Sequence, residues 1–100
     1  MKLSPEEIGE KLEKLSDWKL KDEKWIEKRY RFREFPQGIA FVNQVAKVAE
    51  NLNHHPLIAI DYKVVTLRLT TWHSGGLTDL DFVSAEKYDN IYHSAPWNPA

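Results

Sequence analysis

Residues 39–72, IAFVNQVAKVAENLNHHPLIAIDYKVVTLRLTTW, change their hydrophobic period part-way along, and that change decides the fold. Up to Leu52 the apolar positions Phe41, Val45, Val48, Ala49 and Leu52 recur at helical spacing, which predicts a helix from Ile39 to about residue 52. Beyond Pro56 the spacing is that of strands. Leu57 to Asp61 and Val64 to Trp72 form a predicted pair, the second with Val65, Leu67 and Leu69 on one face and Thr66, Arg68, Thr70 and Trp72 on the other. Ser74-Gly75-Gly76 closes it. Ile39, Val42 and Ala46 add a second apolar stripe to the helix, more than one sheet face would cover, so self-association is expected.

Upstream, Phe35-Pro36-Gln37-Gly38 reads as a break between this helix and a preceding strand. Trp18-Lys19-Leu20 and Trp25 to Phe35 are expected to form a hairpin around Lys21-Asp22-Glu23-Lys24. Ile26, Tyr30 and Phe32 fall on one face, Glu27, Arg29, Arg31 and Arg33 on the other. The N-terminus carries a complete set of helix-start signals: Ser4 as cap, Pro5 in the first position, Glu7 closing a capping box and Leu3 placed to staple against Ile8. A helix over residues 5–15 follows, burying Ile8, Leu12 and Leu15. Downstream, Thr78 caps a last helix with Asp81 at its third position, and the Pro-containing tail from Ala95 to Ala100 ends it. The order α-β-β-α-β-β-α, with short connections, predicts an α+β two-layer sandwich: a four-stranded antiparallel sheet with three helices on one face. Residues 1–100 are expected to form a single domain.

Composition removes several classes of function. Fourteen Lys and Arg against fifteen Asp and Glu leave a net charge of −1, which offers no general attraction to nucleic acid or to anionic membranes. Cysteine is absent, so disulfides, thiolate zinc sites and cysteine nucleophiles are excluded, and a reducing, cytoplasmic setting is expected. No stretch resembles a signal peptide or reaches the ~18 apolar residues of a membrane span. Lys28-Arg29-Tyr30-Arg31-Phe32-Arg33 interleaves basic and aromatic residues as nucleic-acid binders do, but the same alternation describes a strand with one solvated face.

The chemistry sits at the junction of helix and strand. Histidine is the side chain whose ordinary pKa lies near neutrality, and His54-His55 is an adjacent pair. Pro56 biases His55 toward extended backbone, which ends the helix there and splays the two rings. If helical geometry continued to His54, Glu50 would lie one turn behind it and could fix its tautomer. Each residue also has a structural reading: imidazoles at a helix C-terminus favour the carbonyl dipole, Asp81 stabilises a helix start, and Tyr62 and Trp72 can simply pack. A metal site is not expected, since adjacent histidines diverge and no His-x-x-x-His or carboxylate triad accompanies His54, His55, His73 and His93.

Taken together, Glu50, His54, His55, Pro56, Tyr62, Trp72 and Asp81 stand at the spacing of a known motif, and the chain resembles the pterin-4a-carbinolamine dehydratases, also called the dimerisation cofactor family. The strand Val64 to Thr71 and Gly76-Leu77-Thr78 look alike as well. The resemblance implies a lyase that dehydrates 4a-hydroxy-tetrahydropterin to quinonoid dihydropterin in tetrahydrobiopterin-type recycling. Protonating the departing hydroxyl and removing a proton from the neighbouring ring nitrogen need no cofactor and no metal. By the same resemblance His54 is the general acid, His55 mainly binds and orients the pterin, and Glu50, Pro56, Tyr62, Trp72 and Asp81 complete the binding site; His73, outside the motif, is a further binding candidate that the Gly-rich turn would have to rotate toward it. In the best-known members a third histidine stands where this chain has Trp72, with His73 one residue later and expected on the opposite strand face. Indole can stack on a pterin or donate one hydrogen bond, but it is no acid. The resemblance further implies a homodimer or homotetramer built by sheet extension and packing of the long helices. It leaves two alternatives open: a non-catalytic dimerisation or assembly partner, and a pterin-binding protein without efficient turnover.

Overall fold

The computed structural model of the chain describes residues 1–94. Its elements run α1 (Pro5–Glu13), β1 (Lys19–Lys21), β2 (Trp25–Arg31), α2 (Phe35–Leu52), β3 (Leu57–Asp61), β4 (Val64–Leu69) and α3 (Asp79–Ser94), with a single 3₁₀ turn at Trp72–Ser74 before α3. The predicted α+β order is the observed one. All pairings are antiparallel, and the strands lie in the order β1-β2-β4-β3, so β3 forms one edge. The tail from Ala95 to Ala100 lies outside the described residues.

The core forms because the strand period of two meets the helix period of 3.6. Ile26 and Tyr30 of β2 and Val65, Leu67 and Leu69 of β4 bury one sheet face against Phe41 and Val45 of α2 and Phe82, Ala85 and Tyr88 of α3. At the N-terminus the Ser4 side chain accepts from the Glu7 N–H while Glu7 accepts from the Ser4 N–H, the reciprocal box that the sequence predicts. Ser4→Ala is expected to lower stability by about 1 kcal/mol, read as a shift in the urea midpoint without a change in slope.

Four boundaries differ from the sequence reading. α1 ends at Glu13 rather than near residue 15. β2 ends at Arg31, and Phe35-Pro36-Gln37-Gly38 belong to α2 rather than to a break. Pro36 sits in the first turn, where its missing N–H costs nothing, and the Gln37 side chain accepts from the N–H groups of Arg33 and Glu34. Gly38 permits close approach: a Cβ there would stand 3.3 Å from a Val65 methyl and 3.4 Å from the Phe32 ring. The fourth is β4, which stops at Leu69, placing Trp72 in the 3₁₀ turn instead of on a strand.

The basic strand holds a further difference. Arg29, Arg31 and Arg33 are exposed, but Lys28 shares the inward parity of Ile26 and Tyr30 and is buried. Its Nζ lies 2.8 Å from Oδ1 of Asp89 on α3, which also accepts from the Tyr30 hydroxyl at 2.6 Å, while Oδ2 accepts from the Trp18 indole at 3.1 Å. Burial, then the Asp89 charge, holds the Tyr30 hydroxyl well above the usual tyrosine range, in keeping with its role as donor.

Candidate active site

Helix α2 ends in a way that separates the two histidines. Asn53 adopts a left-handed conformation (φ 51°, ψ 43°), its N–H donates to the Glu50 carbonyl, and the His54 N–H donates to the Ala49 carbonyl. These are the two bonds of a Schellman termination, and Asn is the residue after Gly best suited to it. The helix therefore does not reach His54. The expected Glu50–His54 contact is not made: Glu50 Oε2 lies 2.6 Å from Nε2 of His55 instead, in an exposed pair. An exposed pair of this kind orients more than it stabilises.

His54 turns the other way, into the protein. It is 8% exposed, and its Nε2 lies 2.6 Å from Oδ1 of Asp81, which is fully buried. The other Asp81 oxygen accepts from the Thr71 hydroxyl at 2.8 Å and from the Thr78 N–H at 2.9 Å. The two threonine hydroxyls lie 2.8 Å apart, so Thr78 can donate to Thr71 while Thr71 donates to the carboxylate. An ionised carboxyl only accepts, and here it meets three donors when His54 carries its proton on Nε2. That tautomer leaves Nδ1 for chemistry.

The loop after β4 makes this possible. Thr71 bridges to Gly76 across the 3₁₀ turn, and Gly75 adopts φ 73°, which suits glycine, so the chain reverses and brings Thr78 back beside Thr71. Thr71, His73 and Thr78 then line a cavity of about 290 Å³ with Met1, Asp79 and Leu80. Trp72 is 72% exposed, and its ring meets Trp25 edge-on at 5.0 Å. The Arg68 guanidinium covers the Trp25 ring at 4.7 Å, so an aromatic and cationic patch flanks Trp72.

Of the residues singled out in the sequence, two pairs are joined directly, His54 with Asp81 and His55 with Glu50, and Pro56 follows the histidines in chain. Trp72 and His73 lie on the loop that starts at Thr71. Tyr62 is elsewhere. It occupies the β3–β4 turn at the far end of the hairpin, about 20 Å from Pro56 at ~3.3 Å per residue. Thr71 was missed as a site residue, and Thr78 was read only as a cap. The available signal was a hydroxyl on each side of a Gly-Gly turn with a carboxylate three residues on. Among the described residues no group of three or more His, Cys, Asp or Glu is arranged to hold a metal ion.

Comparisons with known proteins converge. The family model described as pterin 4 alpha carbinolamine dehydratase matches residues 1–91. A predicted pterin-4-alpha-carbinolamine dehydratase of Sulfurisphaera tokodaii is 42% identical over 90% of this chain and 96% of its own length. One from Chloroflexus aurantiacus is 46% identical over the same shares. Among solved structures, a transcriptional coactivator/pterin dehydratase from Brucella melitensis superposes with a TM-score of 0.87 at 33% identity, covering 91% of this chain and 98% of that one. A pterin dehydratase-like protein described as a RuBisCO assembly factor in the alpha-carboxysome shares the fold, with a TM-score of 0.66 at 22% identity over 79% of this chain and 93% of that one.

Proposed function

The chain belongs to the pterin-4a-carbinolamine dehydratase family, and from that premise we propose that it catalyses loss of water from 4a-hydroxy-tetrahydropterin to give quinonoid dihydropterin. The observation that carries the reading is the buried His54–Asp81 pair, an imidazole held in one orientation at 2.6 Å by a carboxylate whose other contacts are internal. In the step, the bond from ring carbon to hydroxyl breaks as His54 delivers a proton to the leaving oxygen. The neighbouring ring nitrogen loses its proton, and the new carbon–nitrogen double bond forms. Asp81 balances the imidazolium charge on the donor, as a preorganised group does without reorganising at the moment of reaction.

His55, exposed and steered by Glu50, binds the pterin edge and stands ready to accept the nitrogen proton. His73, Trp72 and Pro56 border the ligand, and Trp72 offers a face for stacking. The chemistry belongs to tetrahydrobiopterin-type cofactor recycling in the cytoplasm, with the protein working as a homodimer or homotetramer. None of the described helices is long and apolar enough to cross a membrane.

The direct test is the rate of carbinolamine dehydration with purified protein. A rate equal to the uncatalysed one would move the assignment to a pterin-binding protein or to an assembly partner, the latter favoured by the exposed apolar residues Phe35, Leu57, Ile58 and Ile60. Trp72→His is expected to raise kcat by roughly tenfold or more, since it adds an imidazole where the indole only binds. An unchanged kcat with a higher KM would show that the position serves binding alone.

A further inference from the structure

Trp25 is buried on the side of the sheet where no helix covers it. Its parity in β2 is that of Glu27, Arg29 and Arg31, on the face that the helices leave open, yet it is only 8% exposed. Two side chains from beyond its own strand meet its ring. The Arg68 guanidinium of β4 lies over it at 4.7 Å, and the Trp72 indole meets it edge-on at 5.0 Å, with the ring planes 83° apart. Arg68 is in turn held by Glu27, whose carboxylate lies 3.5 Å from its Nε.

The cover runs one way. Trp25 is nearly shut off from water while Trp72 keeps 72% of its surface exposed, so the contact holds the second ring without using it up. A pair made for packing alone would take the apolar area of both indoles out of water. Among the described residues, Trp25 is the one ring that Trp72 meets.

Position ties the pair to the histidines. Thr71, the residue before Trp72, donates to Asp81, which holds His54. On the open face the register pairs Arg68 with Glu27 on one side and with Leu57 on the other. One row further along, the Thr70 hydroxyl donates to the Lys24 carbonyl, next to Trp25, and His55 stands two residues before Leu57 in the neighbouring chain segment. Two strand spacings, roughly 10 Å, therefore separate Trp25 from the segment that carries His55. The aromatic pair and the histidines share one end of the sheet.

We infer that Trp25 is a positioning residue for the substrate: backed by Arg68, it fixes the orientation in which Trp72 presents its indole to the flat pterin ring. The inference rests on the proposed pterin site and adds to it the device that lets an indole serve there. An exposed side chain in a short turn otherwise samples several rotamers, and ordering it when the ligand binds weakens affinity. A ring already held by an edge-on neighbour avoids that loss.

A double-mutant cycle tests it. Trp25→Ala is expected to raise KM for the carbinolamine about threefold to tenfold, with a smaller change in kcat, the scale of one aromatic pair. Trp25→Phe, which keeps an aromatic ring, should recover most of that loss. In a Trp72→Ala background the same Trp25→Ala exchange should move KM by less than about twofold, because the ring that Trp25 positions is gone. Far-ultraviolet dichroism gives an independent readout: a band from the coupled indoles, present in the original protein and lost alike in Trp25→Ala and Trp72→Ala. A KM for Trp25→Ala within about twofold of the original overturns the inference. So does an equal rise in KM from that exchange in both backgrounds, which would place its effect in the fold and not in Trp72. Should Trp25→Ala fail to fold, Trp25→Leu, which keeps apolar bulk without a ring, replaces it. If the unaltered protein binds tetrahydropterin without turning it over, the dehydratase reading falls while the same cycle, read by calorimetric Kd, still decides the role of Trp25. If it binds no pterin, both fall.

Discussion

His54→Ala is expected to lower kcat for carbinolamine dehydration by roughly 10²–10⁴-fold, the range for loss of one positioned proton-transfer group, equivalent to about 3–5 kcal/mol of barrier. The size follows from how firmly the ring is held. Nε2 is tied to Asp81, and Asp81 is tied to Thr71 and Thr78, so solvent cannot easily take over the proton transfer in one orientation. The variant also leaves the buried carboxylate short of a donor, which costs stability of about 1–3 kcal/mol. The rate therefore has to be measured well below the variant's melting temperature, with near-ultraviolet dichroism confirming native packing. A folded His54→Ala protein within threefold of the original kcat would remove His54 from the reaction. His55→Ala should raise KM and also lower kcat, but by less than His54→Ala does, since that ring is exposed and water can stand in for it as proton acceptor.

The largest loss of stability is expected from Asp89→Ala. It strands the buried Lys28 ammonium without its counter-ion and leaves the Tyr30 hydroxyl and the Trp18 indole without their acceptor. Breaking one partner of a buried pair costs about 3–5 kcal/mol. For a chain of this size that lowers Tm by on the order of 15–35 °C, a large share of the 5–15 kcal/mol that holds a domain together. Replacing both charges, as in Lys28→Met with Asp89→Leu, should recover most of the loss, because well-packed apolar residues avoid the desolvation that the ion pair incurs. Thermal melts of the single and double variants decide the matter. A Tm within about 5 °C of the original for Asp89→Ala would mean that water reaches the pair and that the network is not buried in solution.

Much of the architecture was legible because its causes are local. The Ser4–Glu7 box acts over three residues, and the alternation Val65, Leu67, Leu69 declares an inward face within six. Even so, Pro36 and Gly38 misled. The pair that usually marks a turn here serves a helix, Pro36 in a first turn that needs no N–H from it and Gly38 where α2 approaches Val65 and Phe32. Lys28 was hidden for a similar reason: its parity pointed inward, but a lysine is placed inside only when a partner is there, and Asp89 is sixty-one residues away.

The site divides along the same line. The residues that pair in the structure, His54 with Asp81 and His55 with Glu50, stood out in the sequence through their spacing, and helix–strand order put His54, His55 and Pro56 at a junction. The pairings were not visible. One left-handed residue, Asn53, decides that Glu50 meets His55, and closure of the Thr71–Thr78 loop decides that His54 meets Asp81 across twenty-seven residues. Periodicity and capping are set by neighbours a few residues apart, so they can be read along the chain. A hydrogen bond between distant residues exists only once packing has brought both into one buried place, and the tertiary structure alone supplies that.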